Sequence, residues 1–137
     1  MKKQIAILGS TGSIGKQTLE VIAEHPDLFE VYAITAHRSA DLLIQQARQF
    51  RPEVVVIADE SLYKKVSDAL SDLPIKVWTG ADALCQVVEA EPIHIVVTAM
   101  VGFAGLRPTV SAIKAHKTIA LANKETLVVA GELICAL

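Results

Sequence analysis

The chain predicts an α/β fold: a doubly wound, mainly parallel sheet with helices on both faces. Three observations carry that prediction. Apolar runs alternate with helix-period segments along all 137 residues, as a series of right-handed strand–helix–strand crossovers requires. The hydrophobic share is 52% while aromatics are only 4%, so the excess is Ala, Val, Ile and Leu, the mixture of parallel strands covered on both faces. The third is Ile5-Ala6-Ile7-Leu8-Gly9-Ser10-Thr11-Gly12-Ser13-Ile14-Gly15, an aliphatic run that ends in glycines at three-residue spacing before a helical pattern begins.

The elements follow in order. Strands are expected at 4–8, 30–35, 54–58, 76–78, 93–98 and 118–121, and helices at 13–25, 40–51, 61–70, 81–90 and 106–115. A last helix is expected from Lys124 into the carboxyl terminus. Pro26-Asp27 closes the first helix, while Arg51-Pro52 and Glu91-Pro92 mark the turns before the third and fifth strands. Nothing resembles a repeat, a low-complexity stretch or a linker, so residues 1–137 are expected to form one domain. The last eleven residues are apolar to the end, which suggests the front part of a longer protein.

Bulk properties exclude several function classes. With a net charge of −2 and no long charge run, binding to nucleic acid or to an anionic membrane is not expected. Mean hydropathy is +0.42, yet no apolar run approaches the ~20 residues of a membrane span. Met1-Lys2-Lys3 leads straight into the glycine turn, leaving no room for a secretory signal, so a cytoplasmic protein is the expectation. Cys85 and Cys135 stand far apart and read as buried thiols. His25, His94 and His116 lack partners at metal-ligand spacing and read as turn or surface residues, and no metal site is predicted.

In an open parallel sheet, ligands collect beyond the carboxyl ends of the strands. The first tip is the glycine turn, where a strand runs into a helix whose N–H groups and dipole attract an anion. Gly9 suits the tight exit, Gly12 the approach of a pyrophosphate, and Gly15 the close packing of helix on sheet. That division of labour makes the fold Rossmann-like, although the spacing is one residue longer than the commonest dinucleotide fingerprint. The hydroxyls of Ser10, Thr11 and Ser13 can join the backbone donors, and Ser13 also stands where a helix cap is wanted. The competing reading is an ordinary glycine-rich turn.

The second tip bears on coenzyme choice. An NAD-selective site places an acid about 20 residues past the glycines, where this chain has His37-Arg38-Ser39 and no acid before Asp41. Arg38 can clamp a ribose 2′-phosphate with Ser39 as a further donor, which favours NADP; otherwise Arg38 is a solvated surface charge. The fifth tip, Thr98 to Gly105, is small and glycine-containing, suited either to lying beneath a cofactor or to a plain loop. At the sixth, Asn123 and Thr126 can cap the following helix, but Lys124 opposes its dipole and capping does not explain it. Asp59-Glu60 and Glu89/Glu91 read as solvated or capping carboxylates.

Gly9-Ser10-Thr11-Gly12-Ser13-Ile14-Gly15 together with Ala120-Leu121-Ala122-Asn123-Lys124-Glu125-Thr126-Leu127 closely resembles the 1-deoxy-D-xylulose 5-phosphate reductoisomerases. The likeness runs through the whole chain, including Val101-Gly102, Ala104-Gly105-Leu106 and Pro108-Thr109. Several NADP reductases share the glycine motif; the Ala-Asn-Lys-Glu block is far more specific. The resemblance implies an NADPH-dependent enzyme of isoprenoid biosynthesis, cytoplasmic and homodimeric when full length. Thr11, Gly12, Ser13 and Ile14 would hold the pyrophosphate and neighbouring ribose, and His37, Arg38 and Ser39 would receive the adenosine end. That loop often reads Gly-x-Asn in relatives, and this chain departs from it. Asn123 and Glu125 would lie near the nicotinamide, and Lys124 would touch the sugar-phosphate substrate. The family also uses a divalent metal, Mg or Mn, to chelate substrate oxygens during the skeletal rearrangement. Its ligands would follow residue 137, so the chain alone is expected to be inactive. The rival readings are another NADP reductase with the same glycine spacing, or a nucleotide-binding module without chemistry.

Overall fold

The structure is a computed structural model, and it describes residues 2–99, 113–122, 126–129 and 132–135. Strand β1 (Lys3–Leu8) leads to helix α1 (Ser13–Glu24), β2 (Phe29–Ala36), α2 (Ala40–Phe50) and β3 (Val54–Ile57). A 3-10 turn (Glu60–Leu62) runs into α3 (Tyr63–Ala69), followed by β4 (Lys76–Thr79), α4 (Ala81–Val87), β5 (Ile95–Thr98) and β6 (Thr118–Ala122). Strands β7 (Thr126–Val129) and β8 (Glu132–Cys135) complete the described chain.

The sheet order is β4-β3-β2-β1-β5-β6-β7-β8, and the first six strands are mutually parallel. Successive strands step outward from β1 to β4 before the chain returns to place β5 on the other side of β1. A right-handed crossover puts its helix on one face when the chain steps one way and on the opposite face when it steps back. The core obeys that rule. Ile5, Ile7, Val55 and Ile57 pack with Leu19 and Ile22 of α1, Leu43 and Ala47 of α2, and Val66 of α3. Their strand neighbours Ala6, Leu8, Val54 and Val56 pack on the other side with Ala83, Leu84 and Val87 of α4. Alternate residues of β1 and β3 therefore serve two cores, so these strands read as unbroken aliphatic runs.

Each helix begins and ends for local reasons. Gly15, Leu19 and Ile22 form the buried stripe of α1, which closes just before Pro26. Arg51, left-handed at φ 51°, terminates α2 immediately ahead of Pro52. Between Ile5 and Ala6 the β1–β2 register slips by one residue, so that Val31 opposes Ile5 and Ala33 opposes Ala6. The extra residue, Tyr32, puts two successive β2 side chains on the α4 face and resets the alternation beyond it.

The carboxyl-terminal segment differs from expectation. A helix was predicted from Lys124 onward, whereas 126–129 and 132–135 are strands that extend the sheet antiparallel to β6 and to each other. Thr126, Val128, Val129 and Ile134 are β-branched, and the pairing of Val129 with Glu132 leaves two residues between the strands. A short apolar run has no period that separates strand from helix, and β6 offers an edge to pair with. Of the helix expected at 106–115, only 113–115 fall within the described residues, with Ile113 and Lys114 helical. No helix among the described residues is long and apolar enough to cross a membrane.

Candidate functional site

The strand order reverses at β1, whose neighbours are β2 and β5. A crevice opens at such a switch point, beyond the carboxyl ends of the strands, and the glycine turn lies there. Gly9 adopts φ +86°, a left-handed conformation that a residue with a Cβ rarely takes, and turns the chain out of β1. Gly12 is the residue preceding α1, extended at φ −78° and ψ 175°, and no side chain caps the helix. The first helical bond is donated by Lys16 N–H to the Gly12 carbonyl at 2.9 Å. The N–H groups of Ser13, Ile14 and Gly15 therefore have no intrahelical partner. No acid occupies the first turn, so the positive end of the helix faces the crevice uncompensated.

The three glycines separate cleanly by what a Cβ would meet. Among the described residues it would meet at Gly12 only the Gly9 carbonyl oxygen, at 3.8 Å, so they leave that space open. At Gly15 it would lie 2.5 Å from the Ser10 Cα, so α1 approaches the turn as closely as backbone permits. Thr11 is half-buried while Gly12 and Ser13 are exposed, so the turn reaches solvent beyond the carboxyl end of β1. Ser13 is the first helical residue, not the cap expected for it. Ser10 also departs from expectation. Its hydroxyl is fully buried and donates to the Gln46 Oε1 at 2.7 Å, so it points into the core.

The second tip lies beside the first. Gly9 N–H donates to the Thr35 Oγ1 at 3.0 Å and Ser10 N–H to the Thr35 carbonyl at 2.9 Å, tying the turn to β2. His37, Arg38 and Ser39 follow β2 and are all exposed. Ser39 precedes α2, but its hydroxyl does not cap the helix. Arg38 Nε lies 3.3 Å from the Asp59 carboxylate, with 76% of the Arg38 side chain exposed, so the guanidinium is anchored yet open to solvent.

Asp59 does more than the capping role read from the sequence. Its Oδ1 accepts from the Ser61 hydroxyl at 2.6 Å and from the Ser61 N–H at 3.0 Å. Those two bonds, chiefly that of the hydroxyl, hold the carboxyl below the usual aspartate range, with a smaller contribution from Arg38. Asp59 therefore stabilises the fold above the ordinary aspartate titration range, and the benefit is lost as pH falls through its depressed folded value. Ser61→Ala removes the larger bond and leaves the backbone bond. Carboxyl-carbon NMR titration is expected to show Asp59 moving up toward the ordinary value, and an unmoved titration would contradict this assignment.

Other expected residues are accounted for differently. Asn123, Lys124 and Glu125 lie outside the described residues, as do Val101 to Gly105; the strand before the block, β6, ends on the same carboxyl edge as β1 and β5. His94, half-buried in the loop before β5, does more than the turn or surface role read for it. Its Nδ1 accepts the Gln4 N–H at 3.0 Å, stitching β5 to β1 at the opposite end of the sheet. Cys85 is a half-buried free thiol. Among the described residues, no three metal-ligating side chains gather.

The family model described as 1-deoxy-D-xylulose 5-phosphate reductoisomerase matches residues 5–131. A relative of that name from Phocaeicola vulgatus is 71% identical over all 137 residues, which cover 36% of its length. One from Bacteroides thetaiotaomicron is 70% identical over 133 residues, 97% of this chain and 34% of its own. The chain thus spans about a third of the curated relatives it matches. Among solved structures, the reductoisomerase from Zymomonas mobilis in complex with NADPH superposes at a TM-score of 0.85 with 37% identity, covering 90% of this chain and 32% of that one. A reductoisomerase bound to NADPH, fosmidomycin and magnesium gives 0.84 and 36%, covering 88% and 30%. The parallel sheet, the open glycine turn and the match over nearly every residue lead to one assignment: the chain belongs to the 1-deoxy-D-xylulose 5-phosphate reductoisomerase family.

Proposed function

We propose that this chain forms one NADPH-binding domain and seats the hydride donor of a reductoisomerase. That enzyme rearranges 1-deoxy-D-xylulose 5-phosphate and reduces the product to 2-C-methyl-D-erythritol 4-phosphate. The observation that carries the proposal is the run of N–H groups at Ser13, Ile14 and Gly15 without an intrahelical partner, at the carboxyl end of β1 beside a tip that presents Arg38. The residues present suit the coenzyme. The open space at Gly12 admits a diphosphate against the backbone, Thr11 and Ser13 offer hydroxyls, and Ile14 contributes an amide beside the adjoining ribose. His37, Arg38 and Ser39 take the adenosine end, with Arg38 and Ser39 as donors to its 2′-phosphate.

Bound NADPH supplies the hydride for the reduction; the chain's own contribution is to bind and orient it. Asn123 and Glu125 are assigned to the nicotinamide side and Lys124 to the sugar phosphate, on the strength of the family block they occupy. Metal ligands, dimer contacts and turnover are assigned to parts of the longer protein outside this chain. The parent protein is a cytoplasmic homodimer with no nucleic-acid or membrane partner in this reading.

Fluorescence titration of the chain with NADPH and NADH tests the reading. NADPH is expected to bind ~10-fold or more tightly than NADH, since a charge-assisted bond is worth ~1.5–3 kcal/mol. Gly12→Ala is expected to leave the unfolding midpoint unchanged while weakening both coenzymes. Equal affinity for the two would favour a generic nucleotide module instead.

A further inference from the structure

The described core contains four buried polar residues, Ser10, Thr35, Gln46 and Thr98, and three of them converge on the glycine turn. Gln46 stands on the buried stripe of α2 between Leu43 and Ala47, where an aliphatic side chain would ordinarily pack. Burying an amide in that place costs free energy unless its donor and acceptor are both used. Here both are. Gln46 Nε2 donates to the Ser10 carbonyl at 2.9 Å, and Gln46 Oε1 accepts the Ser10 hydroxyl at 2.7 Å. The Ser10 hydroxyl also lies 3.3 Å from the Thr35 carbonyl, which takes the Ser10 N–H at 2.9 Å. Ser10 is thereby held at its N–H, its carbonyl and its side chain by two different elements.

The position of that grip matters. Ser10 lies between Gly9, whose left-handed turn leaves β1, and Gly12, which opens α1. Two glycines in a short turn allow many conformations, most of which would not aim the α1 amides at the crevice. We propose that Gln46 is a positioning residue of the coenzyme site. From 36 residues away in sequence, it fixes the glycine turn in the one conformation that presents Ser13, Ile14 and Gly15 to a diphosphate. The proposal rests on the NADPH reading above and names a residue that never touches the coenzyme.

The test compares two probes on the same chain: NADPH, which needs the diphosphate seat, and 2′-AMP, which carries the 2′-phosphate but no diphosphate. Gln46→Met keeps the volume and removes both bonds. NADPH affinity is expected to fall ~10-fold or more, as two lost hydrogen bonds imply, while 2′-AMP affinity changes by less than ~2-fold. Equal loss of both probes, or loss of neither, overturns the proposal. Should Gln46→Met fail to fold, Ser10→Ala decides by the same comparison, because it removes the hydroxyl bonds alone; a selective ~3-fold loss of NADPH supports the proposal and an unselective result sinks it. Unaltered chain that binds 2′-AMP but not NADPH removes the diphosphate reading and this inference together. Normal NADPH binding with an indifferent Gln46→Met removes the inference alone.

Discussion

Gly15→Ala is expected to abolish NADPH binding and to lower the thermal midpoint by ~10 °C or more. The added methyl would sit 2.5 Å from the Ser10 Cα and 2.7 Å from its carbonyl carbon, and closer still to the Gly9 carbonyl oxygen. All three obstacles are backbone, so no rotamer change relieves them. Helix α1 must move off the sheet or the turn must deform. Overpacking of this kind costs ~1–3 kcal/mol where side chains can yield, and backbone contacts place this substitution at or beyond the upper end. At roughly 4 °C per kcal/mol for a chain near this size, the midpoint shift follows. Moving α1 also carries Leu19 and Ile22 out of the core and the Ser13 and Ile14 amides away from the crevice. Calorimetry and coenzyme titration on one sample decide the matter. A methyl tolerated at Gly15 with binding intact would mean that α1 does not approach the turn this closely. Gly12→Ala serves as the contrast, since among the described residues its Cβ meets only one atom, at 3.8 Å.

Residues whose environment is set by near neighbours were legible in the sequence. The β1 turn and α1 occupy about twenty consecutive residues, and their apolar spacing, glycines and following Pro26 dictate strand, exit and helix without reference to the rest of the chain. Strand–helix alternation with the handedness rule foretold a parallel sheet covered on both faces, whereas the strand order and the switch point at β1 had to come from the structure. The placement of Arg38 was legible too, because β2 must end at the edge that β1 ends on.

Relations between distant residues were not legible. Gln46 resembles its polar neighbours Gln45, Arg48 and Gln49 on α2; its place between Leu43 and Ala47 on the apolar stripe was the available signal. Its partner Ser10 lies 36 positions away, and the short hydroxyl beside a glycine suggested a phosphate ligand, whereas burial sends it inward. Asp59 was read as a solvated or capping carboxylate, and its pairing with Arg38 depends on β3 lying beside β2. The slip at Tyr32 leaves no mark in an aliphatic strand. The segment 126–135 went wrong because an apolar run of four residues fits either regular structure.

Arg38→Ala is expected to erase most of the preference for NADPH over NADH, through a loss of ~10–50-fold in NADPH affinity with NADH unchanged. The guanidinium is the cation that the β2 tip presents, and Asp59 at 3.3 Å keeps its Nε on the β3 side. A phosphate carries nearly two negative charges, and an Arg–phosphate contact is a charge-assisted bond worth ~1.5–3 kcal/mol in a sheltered place. With 76% of its side chain exposed, Arg38 works through solvent and salt, which argues for the lower half of that range at physiological ionic strength. The preference should shrink as salt is raised. Arg38→Lys restores the charge but not the planar fork, so it should recover only part of the loss. The decisive readout is the ratio of the two dissociation constants at two salt concentrations. A ratio that survives Arg38→Ala would place the 2′-phosphate on other groups, with His37 and Ser39 the remaining donors at that tip.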